Sequence, residues 1–141
     1  QCNNWDNEYE PLIANNRVIT KMIHFIDSTA VPDLFLNAHY LVLPYTDATQ
    51  SGPLMIAYNF NLPVIASNIE AFREVMVENT TGYLFETADP RGLENVMEAA
   101  LLREKDQYMK LLERLKEYVS LNYSSQHISK MYQSMFSDVQ P

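Results

Sequence analysis

An α/β fold, a parallel sheet with helices on both faces, is the class this sequence predicts, and three observations predict it. From residue 17 onward, short β-rich apolar runs alternate with longer segments of helical period. Two of the runs, Tyr40 to Pro44 (YLVLP) and Leu62 to Ala66 (LPVIA), are apolar at successive positions, the pattern of interior strands covered on each side. The chain has 141 residues, a length that suits one domain around a single core, so residues 1–141 are expected to form one domain.

The elements follow in order. Four strands are expected, at Arg17 to Lys21, Tyr40 to Pro44, Leu62 to Ala66 and Gly82 to Glu86. Pro32 to Ala38 predicts a short helix after the Ser28/Thr29 cap region, and Pro53 to Phe60 (PLMIAYNF) a nearly all-apolar one. Ala71 to Val77 predicts a third, ending before the turn-rich stretch Asn79-Thr80-Thr81-Gly82. Beyond Glu86 the sequence reads as helical over about 89–136. Asp89-Pro90 predicts a helix start with proline at the first position, and Leu93, Val96, Met97, Ala100 and Leu101 supply the apolar stripe. A further helix is expected from Lys105 to about Val119. A last one follows the Ser124-Ser125 cap, with Ile128, Met131, Tyr132, Met135 and Phe136 as a packing stripe.

Composition narrows the function. Ten Lys and Arg against eighteen Asp and Glu give a net charge of -8, which argues against nucleic acid and anionic membrane as long-range partners. Cys2 is the only cysteine, and His24, His39 and His127 lack ligand spacing, so neither an internal disulfide nor a metal site is expected. No apolar run approaches the roughly 20 residues of a membrane span, and the opening QCNNWDNEYE lacks a signal-peptide pattern. A soluble, cytoplasmic chain is the expectation.

The informative stretch is Tyr45-Thr46-Asp47-Ala48-Thr49-Gln50-Ser51-Gly52-Pro53. It leaves the carboxyl end of a buried strand and enters a buried helix, the place where open α/β sheets bind ligands. Gly52 permits close backbone approach, and the N–H groups of Ser51 and Gly52 at a helix start attract an anion such as a phosphate. Thr49 and Ser51 add hydroxyls. The competing reading is a capped turn in which Ser51 satisfies helix N–H groups and nothing binds.

Across roughly Tyr9 to Phe136 the chain resembles the C-terminal half of the family 4 retaining glycosyltransferases of the GT-B fold. The markers are LFLNAHYLVLPY, the QSG loop, LPVIAS, Glu74 in the following helix, TTGYLF and DPRGLENVM, in that order and with short spacers. The resemblance implies a Rossmann-like domain that holds a nucleotide diphosphate-sugar, UDP- or GDP-linked, in an enzyme without a cofactor. Thr49, Gln50, Ser51 and Gly52 would then contact the diphosphate or the donor sugar. Lys21, Met22 and Ile23 would lie near the nucleobase. Many members carry two glutamates with seven residues between them, at positions occupied here by Ala48 and Ile56, and a subgroup with an xQSG loop lacks the pair as this chain does. Ribose recognition is left to Asp47 or Glu74, against their ordinary role as solvated or capping acids. The family's N-terminal acceptor-binding domain and the opening strands of this half have no counterpart here, so the chain is expected to be a fragment without turnover of its own. The intact enzyme would serve a polysaccharide or glycolipid pathway, peripheral to the inner membrane. Two opening strands would lie between Arg17–Lys21 and Tyr40–Pro44, so a dimer or swapped assembly through the open sheet edge is expected.

Other classes fit less of the sequence. A receiver-like signalling module needs an acidic cluster and a strand-ending lysine that are absent. A noncatalytic interaction domain would use the stripe Leu111, Leu112, Leu115 and Val119, and a GT-B sugar-nucleotide epimerase would share the donor site. Arg73 beside Glu74 reads as a surface ion pair.

Overall fold

The computed structural model describes residues 5–13, 16–124, 127, 129 and 133. The chain divides into two compact units, residues 1–31 and 32–141. The apolar stripe of the predicted last helix, Ile128, Met131, Tyr132, Met135 and Phe136, and Cys2 lie outside the described residues.

The first unit contains two single-turn helices, α1 (Trp5–Glu8) and α2 (Glu10–Ile13). Trp5 and Tyr9 stack at 5.2 Å between ring centroids, and Glu10 accepts from Trp5 Nε1 at 3.1 Å and from Lys21 Nζ at 2.5 Å. The strand expected at Arg17 to Lys21 is absent: Arg17 and Val18 form a turn, and Ile19 to Lys21 have no regular secondary structure and pair with no strand. Asn16 diverts the chain locally, its Oδ1 accepting from the Val18 N–H at 3.1 Å and its carbonyl from the Ile19 N–H at 3.4 Å. An apolar run becomes a strand only where a neighbouring ladder receives it.

In the second unit, α3 (Val31–Leu36) leads to β1 (Leu41–Leu43), α4 (Gly52–Asn59), β2 (Val64–Ser67), α5 (Glu70–Arg73), β3 (Gly82–Phe85), α6 (Gly92–Leu101) and α7 (Lys105–Tyr123). The three strands are parallel in the order β1-β2-β3, with Val64 opposite both Leu41 and Gly82. Among the described residues the sheet is therefore three-stranded, where four strands were expected. Along β2 the side chains divide between two cores: Val64 and Ala66 pack with Leu54, Ala57, Tyr58 and Phe72, while Ile65 packs with Tyr83, Phe85, Ala100 and Leu111. Both faces of this central strand are buried, which is why its sequence shows no alternation. Helix α7 serves both cores through Leu111 and Leu115, so these two residues of the stripe proposed for an external partner are interior, while Leu112 and Val119 are half-buried.

Element ends follow local chemistry. Helix α5 stops at Arg73, four residues before the predicted end, and the chain then turns back toward β3. The buried Thr81 hydroxyl accepts from the Val77 N–H at 3.0 Å, taking a bond that a longer helix would have used internally. Asp89-Pro90 forms a turn ahead of α6, with Asp89 Oδ1 accepting from the Arg91 N–H at 2.9 Å. Helix α7 runs four residues past Val119, to Tyr123, whose ring packs at 5.7 Å on Tyr58.

Burial of tyrosine hydroxyls gives the fold an alkaline limit. Burial pushes Tyr40 and Tyr123 up to about 12 and raises Tyr58, Tyr83 and Tyr108 above the ordinary value of 10.0. Because the folded state disfavours ionisation, this contribution is whole below pH 10 and is lost as the pH rises through the folded values. Tyrosinate absorbance is expected to rise in two stages, the later one coinciding with loss of far-UV circular dichroism. In the first unit the sign is opposite: hydrogen bonds from Lys21 and then Trp5 hold Glu10 below the usual carboxylate value, so this exposed contact weakens as the pH falls through the lowered value.

Candidate functional site

A cleft of about 400 Å³ lies at the carboxyl end of the strands, between the loop that follows β1 and helix α5. Thr49, Gln50, Ser51 and Gly52 line one side, Leu54 and Met55 continue that wall into α4, and Ala71, Phe72, Glu74 and Val75 form the other. All four residues expected at the donor site thus border one concavity, and Glu74, expected as an alternative ribose contact, faces the same space.

The loop is positioned by what flanks it. Ser67, fully buried at the end of β2, donates from Oγ to the Leu43 carbonyl at 3.2 Å and ties the carboxyl end of β1 to its neighbour. Tyr45 packs on Phe72 at 5.8 Å between centroids, so the first loop residue rests on the opposite wall of the cleft. Leu54, Ala57 and Tyr58 anchor α4 in the core, which fixes the direction of its amino end.

That amino end supplies the electrostatics. Ser51 is extended, with φ -130° and ψ 102°, and its Oγ accepts from the Leu54 N–H at 3.3 Å. The Met55 N–H reaches the Ser51 carbonyl at 3.4 Å, and Pro53 has no N–H. The Gly52 N–H, at the first position of the helix and on a residue that lines the cleft, has no acceptor within the helix, and the positive end of the helix dipole lies at the same end. The capped-turn reading is therefore correct for the Ser51 oxygen, and the cap leaves an anion-attracting donor in place. A Cβ built on Gly52 would meet no atom within 4 Å, so the missing side chain keeps the cleft open here and relieves no clash.

The remaining predicted residues are placed differently. Asp47 is exposed in the loop and is not among the cleft-lining residues. Lys21, Met22 and Ile23 belong to the first unit, where Lys21 pairs with Glu10 and the other two are exposed. Arg73 makes no ion pair with Glu74; its guanidinium donates to the Asn68 carbonyl at 3.2 Å. Sequence reasoning missed Ala71, Phe72 and Val75 as the apolar wall. Their signal was the position of their helix directly after a buried strand, on the side that the β1 loop faces. Among the described residues no group of three or more His, Cys, Asp or Glu side chains is placed to hold a metal ion. Among them, too, no helix is long and apolar enough to cross a membrane.

The family described as glycosyl transferases group 1 matches residues 4–103. No curated protein matches the sequence. Among solved structures, a glycosyltransferase from Rickettsia africae is 20% identical with a TM-score of 0.72, covering 96% of this chain and 36% of that one. The catalytic domain of starch synthase IV from Arabidopsis thaliana, bound to ADP and acarbose, is 17% identical with a TM-score of 0.63, covering 81% and 25%. The C-terminal domain of a glycosyl transferase group 1 family protein (LpcC) from Francisella tularensis is 23% identical with a TM-score of 0.59, covering 73% and 53%. The chain thus spans between a quarter and about half of these structures and shares their fold.

Proposed function

Because the chain belongs to the glycosyl transferases group 1 family, we propose that its cleft binds the diphosphate of a nucleotide diphosphate-sugar in a retaining sugar transfer. The observation that carries the reading is the convergence of Thr49, Gln50, Ser51 and Gly52 on one opening, with the Gly52 N–H and two hydroxyls as donors and no basic side chain among the lining residues. Anion recognition at such a site comes from oriented dipoles, which hold a diphosphate leaving group as charge develops on it. Glu74 faces the same space as the one carboxylate in the lining, suited to accept from hydroxyls of the ribose or the donor sugar.

The finer assignments rest on the sequence resemblance. They are an xQSG-loop member of family 4, a UDP- or GDP-linked donor, a polysaccharide or glycolipid acceptor, and a cytoplasmic enzyme peripheral to the inner membrane. Asp47, Lys21, Met22 and Ile23 stay in this proposal as nucleotide contacts of the intact enzyme. The ADP bound to the starch synthase domain supports adding adenine nucleotides to the trial set. The outer edge of β1 has no strand beside it among the described residues, so a further strand or a second copy is proposed to add there. A monodisperse monomer in light scattering would remove the second copy.

Calorimetric titration with UDP, GDP and ADP tests the reading. One of the three is expected to bind saturably, and at least tenfold more tightly than its own nucleoside monophosphate, because the second phosphate is what the loop engages. Equal affinity for the two, or no binding of any diphosphate, would overturn the assignment.

A further inference from the structure

We propose that Arg103 and Tyr83 form a second site, at the amino end of the strands, for a small oxyanion carrying a phosphate or carboxylate group. Two cavities lie there, of about 250 and 180 Å³, and they share Arg103 and Ala100 in their walls. The first is bordered by His39, Tyr40, Lys105 and Tyr108, which precede β1 or open α7; the second by Tyr83 and by Glu78 and Asn79, which precede β3. The parallel strands separate this end from the donor cleft, which opens at their carboxyl ends.

Two of the donors here, Arg103 Nε and the Tyr83 hydroxyl, are buried and make no hydrogen bond of good geometry. The Arg103 guanidinium lies over the Tyr83 ring, 4.5 Å from its centroid, and its buried Nε makes no hydrogen bond. Tyr83 is only 4% exposed and lines the second cavity; its hydroxyl makes no hydrogen bond of good geometry and has the Tyr40 hydroxyl as its polar neighbour. The neighbouring Tyr40 hydroxyl is directed to the Ala100 carbonyl at 3.5 Å. Glu78, the acid in the wall, already accepts from the Leu84 N–H at 2.8 Å, and among the described residues no carboxylate pairs with Arg103.

Two buried donors beside a cavity, one of them permanently cationic, match a ligand that only accepts. Burial raises the Tyr83 pKa, so its hydroxyl keeps the proton that it would donate. Lys105 and His39 border the adjoining cavity and add donors for the far side of the anion. Guanidinium geometry suits an oxyanion and leaves chloride with a single contact.

The test is a titration of the chain with inorganic phosphate and, separately, with acetate at constant ionic strength, following the Arg103 Nε–H resonance. A saturable shift with either anion and none with chloride is expected, and the stronger response identifies the group the site takes. Tyr83→Phe keeps the ring under the guanidinium and is expected to weaken binding at least fivefold. Arg103→Gln, followed through the Tyr83 and Ala100 amides, is expected to abolish the response. No saturation with either anion, an equal response to chloride, or an unchanged midpoint in Tyr83→Phe would overturn the site.

Discussion

Gly82→Ala is expected to destabilise the second unit by about 3 kcal/mol or more, among the larger effects a single methyl group produces. Gly82 opens β3 with φ of 150°, and a Cβ there would sit 1.8 Å from the Val64 carbonyl oxygen. Val64 is the β2 residue in register with Gly82, so relief would require the β2–β3 ladder to separate at its first pair. For a domain of this size about 4 °C of melting temperature follows each kcal/mol, so the midpoint should fall by roughly 12 °C or more. The other two glycines supply the scale. At Gly92 a Cβ would meet the Glu86 carbonyl oxygen at 2.5 Å, and at Gly52 it would meet nothing within 4 Å. Alanine scanning of the three, read by thermal unfolding, should rank Gly82 first and leave Gly52→Ala at the parent midpoint. An unperturbed Gly82→Ala would show that β3 does not lie against Val64 in this register.

Gly52→Asp is expected to move stability and ligand affinity in opposite directions. A carboxylate at the first position of α4 interacts favourably with the helix dipole, worth about 0.3–1 kcal/mol, and the space beside Gly52 is open. The same carboxylate would occupy the opening where the diphosphate is proposed to sit and would repel it. Affinity for the nucleoside diphosphate should fall at least tenfold, about 1.4 kcal/mol, while the melting temperature holds or rises slightly. Because folding does not suffer, lost binding is attributable to the site. A variant that binds as tightly as the parent would place the anion elsewhere.

Legibility from sequence differed between the two units for a physical reason. In the second unit the strands Leu41–Leu43, Val64–Ser67 and Gly82–Phe85 fall within or overlap the predicted runs, because each meets its neighbours across a buried ladder. Arg17 to Lys21 has the same composition as a strand and lacks the neighbour, and nothing in five residues reports on a missing partner. Helix α5 ended early because a threonine eight residues beyond its last residue, Thr81, claimed the Val77 N–H, a tertiary event invisible to periodicity. The site was half legible. Residues 49–52 could be read because they form one continuous segment with recognisable turn chemistry. The wall of Ala71, Phe72 and Val75 could not, because it depends on how α5 crosses the end of the sheet. Arg103 and Tyr83 illustrate the same limit: twenty residues apart, they become a pair only when β3 and the start of α7 are brought together.

The most direct test of the donor-site account is residue-resolved. Backbone amide spectra of the chain, recorded while the tightest-binding nucleoside diphosphate is added, are predicted to show concerted saturable shifts at Thr49, Gln50, Ser51 and Gly52, with smaller ones at Glu74 and Val75 across the cleft. Saturable binding that leaves residues 49–52 unmoved while shifting amides elsewhere would contradict it.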